Sequence, residues 1–353
     1  MTLKNEQSAA VRTLLSQLPK VDLHVHLDGS VMPDTLKELA IEQGNPISVS
    51  SHADLLSHMQ VGEHCESLKE YLSKFSFVLP YLQTGAALER VAFEVVEQAA
   101  KQRVHYIEVR FAPQLHCVQG LTLHEVIDHV VKGLQRGEQA FGTIARAIII
   151  CMRNHSYELN KDVVLEAARF YKKGVVAVDL AGDEASFPAR LFQQLFADAR
   201  QLGLPVTIHA GEAAGAENVK VAITSLGAVR IGHGVRMLED PEVVSLVKER
   251  QIPLEMCPLS NLQTKAVPGW DAYPLRRYLE DGIVVTVNTD NMTVSDTTIQ
   301  KEYELLIKHL GLSVNDVARL IMNGAAAAFL EENEKALMIS RYERELKALG
   351  LLV

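Results

Sequence analysis

Eight short apolar stretches, each followed by a helical pattern, are the feature of this 353-residue chain that most restricts its fold. We predict strands over residues 20–25, 104–111, 144–151, 175–180, 205–209, 229–233, 252–257 and 283–288. Strands that alternate with helices indicate a parallel sheet. Eight such units favour a closed α/β barrel, a (β/α)8 TIM barrel, over an open doubly wound sheet. No glycine-rich phosphate loop follows the first strand, which also weighs against an open nucleotide-binding sheet.

The segment between the first two predicted strands is longer than a single helix requires. Residues 86–102 form a strong helical pattern, whereas residues 46–85 follow no single period and are predicted to contain several short helices. We therefore expect one domain over residues 1–353, a barrel with extra helices inserted after its first strand. The aromatic stripe that includes Phe75 and Phe77 suits either a core or an apolar lid over a pocket.

Charge and composition restrict the class of partner. The net charge of -9 argues against a nucleic-acid backbone or an anionic membrane as the main partner. No stretch is apolar for long enough to span a bilayer, and the first residues lack the apolar centre of a signal peptide. The four cysteines show no short-range pairing, which is typical of a reduced protein. We expect a cytoplasmic protein, and no pattern predicts an oligomeric state.

Two histidines, His24 and His26, end the first predicted strand. Residues two apart in a strand point to the same face, so the two imidazoles should lie side by side. Neutral imidazole is a ligand that suits zinc and related ions. Taken alone, a His-x-His pair near a turn is more often a pair of solvated histidines than a metal site. The ends of the other strands reverse that preference.

Polar residues also end the later strands. His209 ends the fifth, His233 ends the sixth and Asp290 follows the eighth. The carboxyl ends of the strands form the active-site rim of a barrel of this kind. Three imidazoles and one carboxylate would hold a divalent ion and leave a position for water, whose pKa the ion would lower. The fourth strand ends at Asp179 without the lysine that often bridges two ions in dinuclear barrel hydrolases, so we predict one metal ion.

Two further residues near these strand ends are candidates for catalysis. Glu212 lies three residues after His209 and is the leading candidate for a proton donor. The alternative is a carboxylate at the start of a helix, where the helix dipole would stabilise it. His233, between two glycines, could be a metal ligand, a core histidine or the group that orients a metal-bound water. The last role fits best if the three other histidines and Asp290 already bind the metal.

Six motifs in a fixed order resemble the adenosine deaminase family. They are His24-Val25-His26-Leu27-Asp28-Gly29, Asp179-Leu180-Ala181-Gly182-Asp183-Glu184, His209-Ala210-Gly211-Glu212-Ala213, Ile231-Gly232-His233-Gly234, Cys257-Pro258-Leu259-Ser260-Asn261 and Asn288-Thr289-Asp290. The resemblance runs through nearly the whole chain, and the six motifs together are highly specific. It implies a (β/α)8 barrel with one Zn²⁺ per chain. The implied reaction is the hydrolysis of adenosine and 2′-deoxyadenosine to inosine, 2′-deoxyinosine and ammonia in purine salvage.

The resemblance also implies a role for each residue of the site. Its metal ligands are His24, His26, His209 and Asp290. Metal-bound hydroxide attacks purine C6, while Glu212 donates a proton to N1. His233 orients the hydroxide and stabilises its charge. The tetrahedral intermediate then releases ammonia.

The implied substrate contacts include one departure from the family pattern. The backbone amide of Gly182 meets purine N3, Asp28 meets the ribose 5′-hydroxyl, and His26 lies beside the substrate. Many members have Asp-Asp where this chain has Asp290-Asn291, and the second residue meets N7. An acid must be protonated to donate to N7, whereas an asparagine amide donates at any pH. We therefore expect purine recognition to survive, with less pH dependence from this position.

Two alternatives to adenosine deamination stay open. The first is a deaminase that acts on adenine or an adenine nucleotide. Asp28 disfavours it, because a carboxylate suits a ribose hydroxyl and repels a 5′-phosphate. The second is a non-catalytic binding protein on the same scaffold, since a fold alone does not determine function. The intact set of three metal histidines, His233, Glu212 and Asp290 disfavours that alternative.

The remaining histidines are not predicted to bind metal. Several lie on predicted helices, and His105 begins its strand at the opposite end of the barrel. They are His52, His58, His64, His105, His116, His124, His129, His155 and His309. The cysteines are expected to be small buried side chains rather than nucleophiles.

Overall fold

The structure is a computed structural model that describes residues 2–62, 65 and 67–351. Its eight strands are β1 (Lys20–His26), β2 (Val104–Phe111), β3 (Ile144–Met152), β4 (Val175–Ala181), β5 (Thr207–Ala210), β6 (Arg230–His233), β7 (Leu254–Met256) and β8 (Val285–Val287). All eight predicted strands are present. The last two are three residues long and shorter than the apolar runs that predicted them.

The strands pair in chain order and close on themselves. Strands β1 to β4 form one parallel four-stranded sheet, and β5 to β8 form another. A bridge between Val178 and Val206 joins β4 to the start of β5, and a bridge between Val25 and Asp290 joins β1 to the residues after β8. Two backbone hydrogen bonds of 2.7 Å accompany the second bridge. The predicted (β/α)8 barrel is therefore confirmed.

Helices surround the barrel. They are α1 (Thr2–Gln17), α2 (Pro33–Glu42), α3 (His52–Met59), α4 (Leu68–Ser73), α5 (Phe75–Val78), α6 (Gly85–Lys101), α7 (Leu123–Phe141), α8 (Tyr157–Phe170), α9 (Gln193–Gln201), α10 (Ala216–Val221), α11 (Pro241–Glu249), α12 (Pro258–Gln263), α13 (Leu275–Glu280), α14 (Ile299–Leu310), α15 (Val314–Ala327) and α16 (Glu332–Ala348). Helices α3, α4 and α5 form the insertion that was predicted between the first two strands. None of the described helices is both long and apolar enough to cross a bilayer.

Prolines precede two of the helices. After Pro188 the chain forms a 3-10 turn, Ala189–Phe192, and becomes α-helical only at Gln193. Helix α13 begins only after Pro274, because a residue before proline is biased away from helical angles and Tyr273 is extended. Helix α12 was not predicted, and it begins with Pro258 at its first position.

Helix α7 shows how local sequence and packing cooperate in this fold. Thr122 and Glu125 form a capping box at its start, and Gly142 ends it with a φ of 75°. Its glycines allow close contact with α6, because a Cβ on Gly133 would lie 2.3 Å from the carbonyl oxygen of Glu89. Helices such as this one bury the outer faces of the strands, so the polar chemistry is left to the barrel interior and its rim.

A buried carboxyl group at the start of α14 couples stability to pH. Glu302 is 1% exposed, and it contacts the Thr297 hydroxyl and accepts a hydrogen bond from the Leu259 amide at 3.1 Å. Burial, together with the charge of Asp22, raises the pKa of Glu302 from 4.5 to about 8. Between pH 4.5 and about pH 8, Glu302 is neutral in the folded protein and ionised in the unfolded chain. Its contribution to stability is therefore full below pH 4.5 and is lost as the pH rises to about 8.

We predict that Glu302→Gln stabilises the protein more at pH 8 than at pH 5.5. Glutamine resembles the neutral acid, since its NH2 can donate to Thr297 and its oxygen can accept from Leu259. The cost of the ionisable group grows by about 1.4 kcal/mol per pH unit within this window. Thermal unfolding at both pH values measures the effect, and Glu304→Gln on the same helix is the control. An equal change in melting temperature at the two pH values would contradict the assignment.

Candidate active site and metal centre

A cavity of about 340 Å³ opens at the carboxyl ends of the strands. Eight of the predicted site residues have a polar or charged side chain, and seven of these line the cavity. They are His26, Asp28, His209, Glu212, His233, Asp290 and Asn291, and the predicted Gly182 also lines it. The eighth, His24, lies below the floor and is fully buried. Apolar residues of the insertion, including Leu68, Leu72 and Phe75, line the wall on the solvent side.

Four side chains converge at the floor of this cavity. His26 Nε2 lies 3.2 Å from His209 Nε2 and 3.3 Å from Asp290 Oδ1, and His24 Nε2 lies 3.5 Å from Asp290 Oδ1. Ligands about 2.1 Å from a tetrahedral ion are about 3.4 Å apart, so this spacing fits one metal ion. His24 Nε2 is buried and has no hydrogen-bond partner among the described residues. These four residues could therefore hold one divalent ion.

The protonation states of the histidines suit metal binding. Burial lowers the pKa of His26 and of His209, which keeps both imidazoles in the neutral form that binds metals. Burial and Arg110 also act to lower the pKa of His24, but the carboxylates of Asp290 and Glu255 outweigh them and raise it. The two carboxylates stabilise a positive charge at His24, and a divalent cation bound beside it would be stabilised in the same way.

Two buried carboxylates orient the metal histidines. Glu255 Oε2 lies 2.9 Å from His24 Nδ1, and Asp179 Oδ2 lies 2.9 Å from His209 Nδ1. Each carboxylate keeps the proton on Nδ1, so that Nε2 faces the other ligands. Arg110 links the two, since its guanidinium donates to Asp179 at 2.8 Å and to Glu255 at 2.7 Å. The orientation of both imidazoles therefore depends on one arginine.

Left-handed backbone places two of the site residues. His233 has a φ of 65° and Asp290 a φ of 60°, values that non-glycine residues adopt at a cost. The turn after β7 supports both side chains. Ser260 Oγ donates to Asp290 Oδ2 at 2.5 Å, and Asn261 Nδ2 lies 2.9 Å from His233 Nδ1. With a donor at Nδ1, neutral His233 carries its proton on Nε2.

Glu212 is suited to act as an acid. Its side chain is buried, and Oε2 lies 3.5 Å from His233 Nε2. Burial, followed by the charges of Asp290 and Glu184, raises the pKa of Glu212 well above its ordinary value. Burial and the neighbouring charges therefore favour the protonated form of Glu212, which can donate a proton into the cavity.

The residues predicted to contact the substrate line the cavity. Asp28 is buried at the wall of the cavity, and burial raises its pKa to about 6. Gly182 has a φ of 104°, a conformation that favours glycine. Asn291 packs its amide oxygen against Gly29, where an added Cβ would be 1.8 Å from that oxygen. Because Gly29 has no side chain, the Asn291 side chain can occupy this space.

Several residues of the site were missed or ranked low in the sequence. Asp179 was ranked low as a residue that shapes the site, and Ser260 and Asn261 were expected only to cap a turn. Arg110 and Glu255 were not singled out. The sequence signal that could have revealed such residues is a charged residue within an apolar strand. Glu255 is an example, since it lies between two buried residues of β7. Of the histidines not expected to bind metal, His64 lies outside the described residues, and the others lie away from the cluster of His24, His26 and His209.

We predict that Arg110→Met destabilises the fold and weakens metal binding. The variant leaves the carboxylates of Asp179 and Glu255 buried without their shared cation, at a cost of about 3–5 kcal/mol. The control is Arg146→Met on β3, whose partly exposed guanidinium pairs with Glu138 and whose loss should cost less than about 1 kcal/mol. Urea unfolding and metal content of the purified proteins measure the effects. Equal costs for the two substitutions would contradict the central role of Arg110.

Comparisons with known proteins agree with the geometry. The adenosine deaminase family model matches residues 19–344. An adenosine deaminase from Clostridium botulinum is 44% identical over 333 residues, which cover 94% of this chain and 99% of the relative. Two solved structures are each 27% identical. An adenine deaminase from Arthrobacter aurescens has a TM-score of 0.87 and covers 94% of this chain and 99% of its own. An amidohydrolase from Burkholderia ambifaria with bound zinc has a TM-score of 0.89 and covers 97% and 94%. This chain belongs to the adenosine deaminase family.

Proposed function

We propose that the protein is an adenosine deaminase that uses one zinc ion to convert adenosine or 2′-deoxyadenosine and water to inosine or 2′-deoxyinosine and ammonia. The observation that carries the proposal is the convergence of three imidazoles and Asp290 beside the buried carboxyl group of Glu212. We assign His24, His26, His209 and Asp290 as the ligands. A zinc ion bound there makes a nucleophile available from water at neutral pH.

The residues around the metal ligands perform the proton transfers. Glu212 donates its proton to purine N1, which draws electrons away from C6 and prepares that carbon for attack. His233 presents its Nε2 proton to the attacking oxygen and holds the oxygen on one face of the ring. When the C6–N6 bond breaks, one proton of the attacking water goes to the amine, which leaves as ammonia, and the other restores Glu212. The proton that Glu212 gave to N1 stays in the product.

Other groups of the cavity bind the purine and the ribose. We assign the backbone amide of Gly182 to N3 and the Asn291 amide to N7, since both ring nitrogens accept hydrogen bonds. Asp28 accepts from the ribose 5′-hydroxyl. The side chains of Phe75 and Leu72 cover the bound nucleoside and exclude water, which strengthens the polar contacts beneath them.

The charge of the cavity favours a nucleoside over a nucleotide. No lysine or arginine occurs among the described residues that line the cavity. The ribose end presents the Asp28 carboxylate, which would repel a 5′-phosphate. The free base adenine would leave Asp28 without its hydroxyl partner, and an unpaired buried carboxylate weakens binding.

We also propose a cytoplasmic role in purine salvage. All four cysteines are free and three are buried, as suits a reducing compartment. The net charge of -9 disfavours nucleic acid and anionic membranes as partners.

The function is tested by ammonia release from adenosine, 2′-deoxyadenosine, adenine and AMP, before and after chelation. We expect release from the two nucleosides alone, lost with the chelator and restored by zinc. Ammonia release chiefly from adenine, or chiefly from AMP, would support the deamination reaction but overturn the proposed contact between Asp28 and the ribose 5′-hydroxyl. No release from any of the four would overturn the proposed reaction.

We predict that Glu212→Gln loses turnover by a factor of about 10² to 10⁴, the usual contribution of a general acid. Glutamine keeps the size of the side chain but has no acidic proton to give to N1. Metal content and melting temperature should remain close to those of the parent. Near-normal turnover with adenosine would show that the proton comes from another group.

A further inference from the structure

Glu184 holds the turn that carries Glu212. The loop after β4 brings its carboxylate, which is 2% exposed, against four consecutive backbone amides. Oε1 accepts from Gly211 at 2.7 Å, and Oε2 accepts from Glu212 at 3.0 Å, Ala213 at 2.8 Å and Ala214 at 2.9 Å. The carboxylate therefore binds the amide of Glu212 and the amides on both sides of it.

The turn after β5 is a concave anion site that the chain fills with its own carboxylate. Successive amides that point to one side form such a site when a left-handed residue curves the backbone. Gly211 supplies that curvature with a φ of 71°, and a Cβ there would lie 2.8 Å from the Val219 side chain. Glu184 thus fixes the peptide planes from which the Glu212 side chain extends.

Arg153 holds the same turn from its carbonyl side. Its buried guanidinium donates to the carbonyl oxygen of His209 at 2.6 Å and to that of Phe187 at 2.6 Å. The positive charge of Arg153 also attracts the carboxylate of Glu184. The end of β5 and the turn after it are therefore tied to the β4 loop by two charged side chains.

We propose that Glu184 is a positioning residue that directs the Glu212 carboxyl group towards purine N1. The inference rests on the proposed function, because it concerns the proton donor of that reaction. Glu184 is not among the described residues that line the cavity, so it acts through Glu212 and not on the substrate. A residue that only stabilised the fold would affect turnover whether or not Glu212 were intact.

The test begins with Glu184→Gln. Glutamine has one acceptor oxygen, so placing it at the three amides leaves an NH2 group facing the Gly211 amide. We expect kcat for adenosine to fall about 10- to 100-fold, as a displaced catalytic group does. KM should change less than about threefold, and zinc content should match the parent. The control is Asp183→Asn, since this neighbouring exposed carboxylate only caps the Ser186 amide at 3.0 Å. Its kcat should stay close to the parent value.

The decisive measurement repeats Glu184→Gln in a Glu212→Gln background. If Glu184 acts through Glu212, it causes no further loss of kcat there, because the group that it positions no longer donates a proton. The same fold-loss in both backgrounds would overturn the inference, as would an unchanged kcat in the parent background. Glu184→Asp, which keeps the charge on a shorter side chain, takes its place in the cycle if the glutamine variant does not fold. Normal turnover of Glu212→Gln alone would instead overturn the proton-donor role of Glu212 in the proposed function.

Discussion

Two buried arginines shared among three buried carboxylates form the interaction on which both the barrel and its site depend. Glu255 accepts from Arg110 and Arg230, each at 2.7 Å, and the arginines extend the chain of charges to Asp179 and Glu108 respectively. All five side chains lie inside the barrel and are at most 1% exposed. Loss of either arginine would leave a terminal carboxylate of the series, Asp179 or Glu108, buried without its arginine. The five charged residues lie on β2, β4, β6 and β7, and their specific pairing determines how these strands meet inside the barrel.

The same charges determine the chemistry above them. Glu255 Oε2 and Asp179 Oδ2 each contact both Arg110 and a histidine proposed to bind the metal, so the barrel interior and the proposed ligand set share atoms. Ser260 and Asn261 of α12, which follows β7, support Asp290 and His233. The site is thereby held both by charged pairs and by hydrogen bonds from uncharged side chains. Pre-organised supports of this kind hold catalytic groups in place without rearrangement during the reaction.

Much of this architecture could be predicted from sequence because its signals are local. The alternation of strands and helices identified the barrel, and residues at strand ends identified the candidate site. What sequence patterns did not reveal depends on contacts between distant residues. Glu184 meets Gly211 across 27 positions of the chain, and Glu255 meets His24 across 231. The lengths of β7 and β8 were overestimated, because an apolar run in the sequence does not show where the backbone stops pairing with the neighbouring strand.

The hydrogen-bonded division of the barrel has a consequence for how the protein matures. Strands β1 to β4 and β5 to β8 form separate ladders that single bridges join, and the proposed ligands come from both halves. The first half contributes only His24 and His26. A chain growing from its amino terminus presents only two of the proposed ligands until residue 209 is made, and the full set forms only when the residues after β8 pair with β1. An ion bound by all four residues would therefore link the two half-barrels.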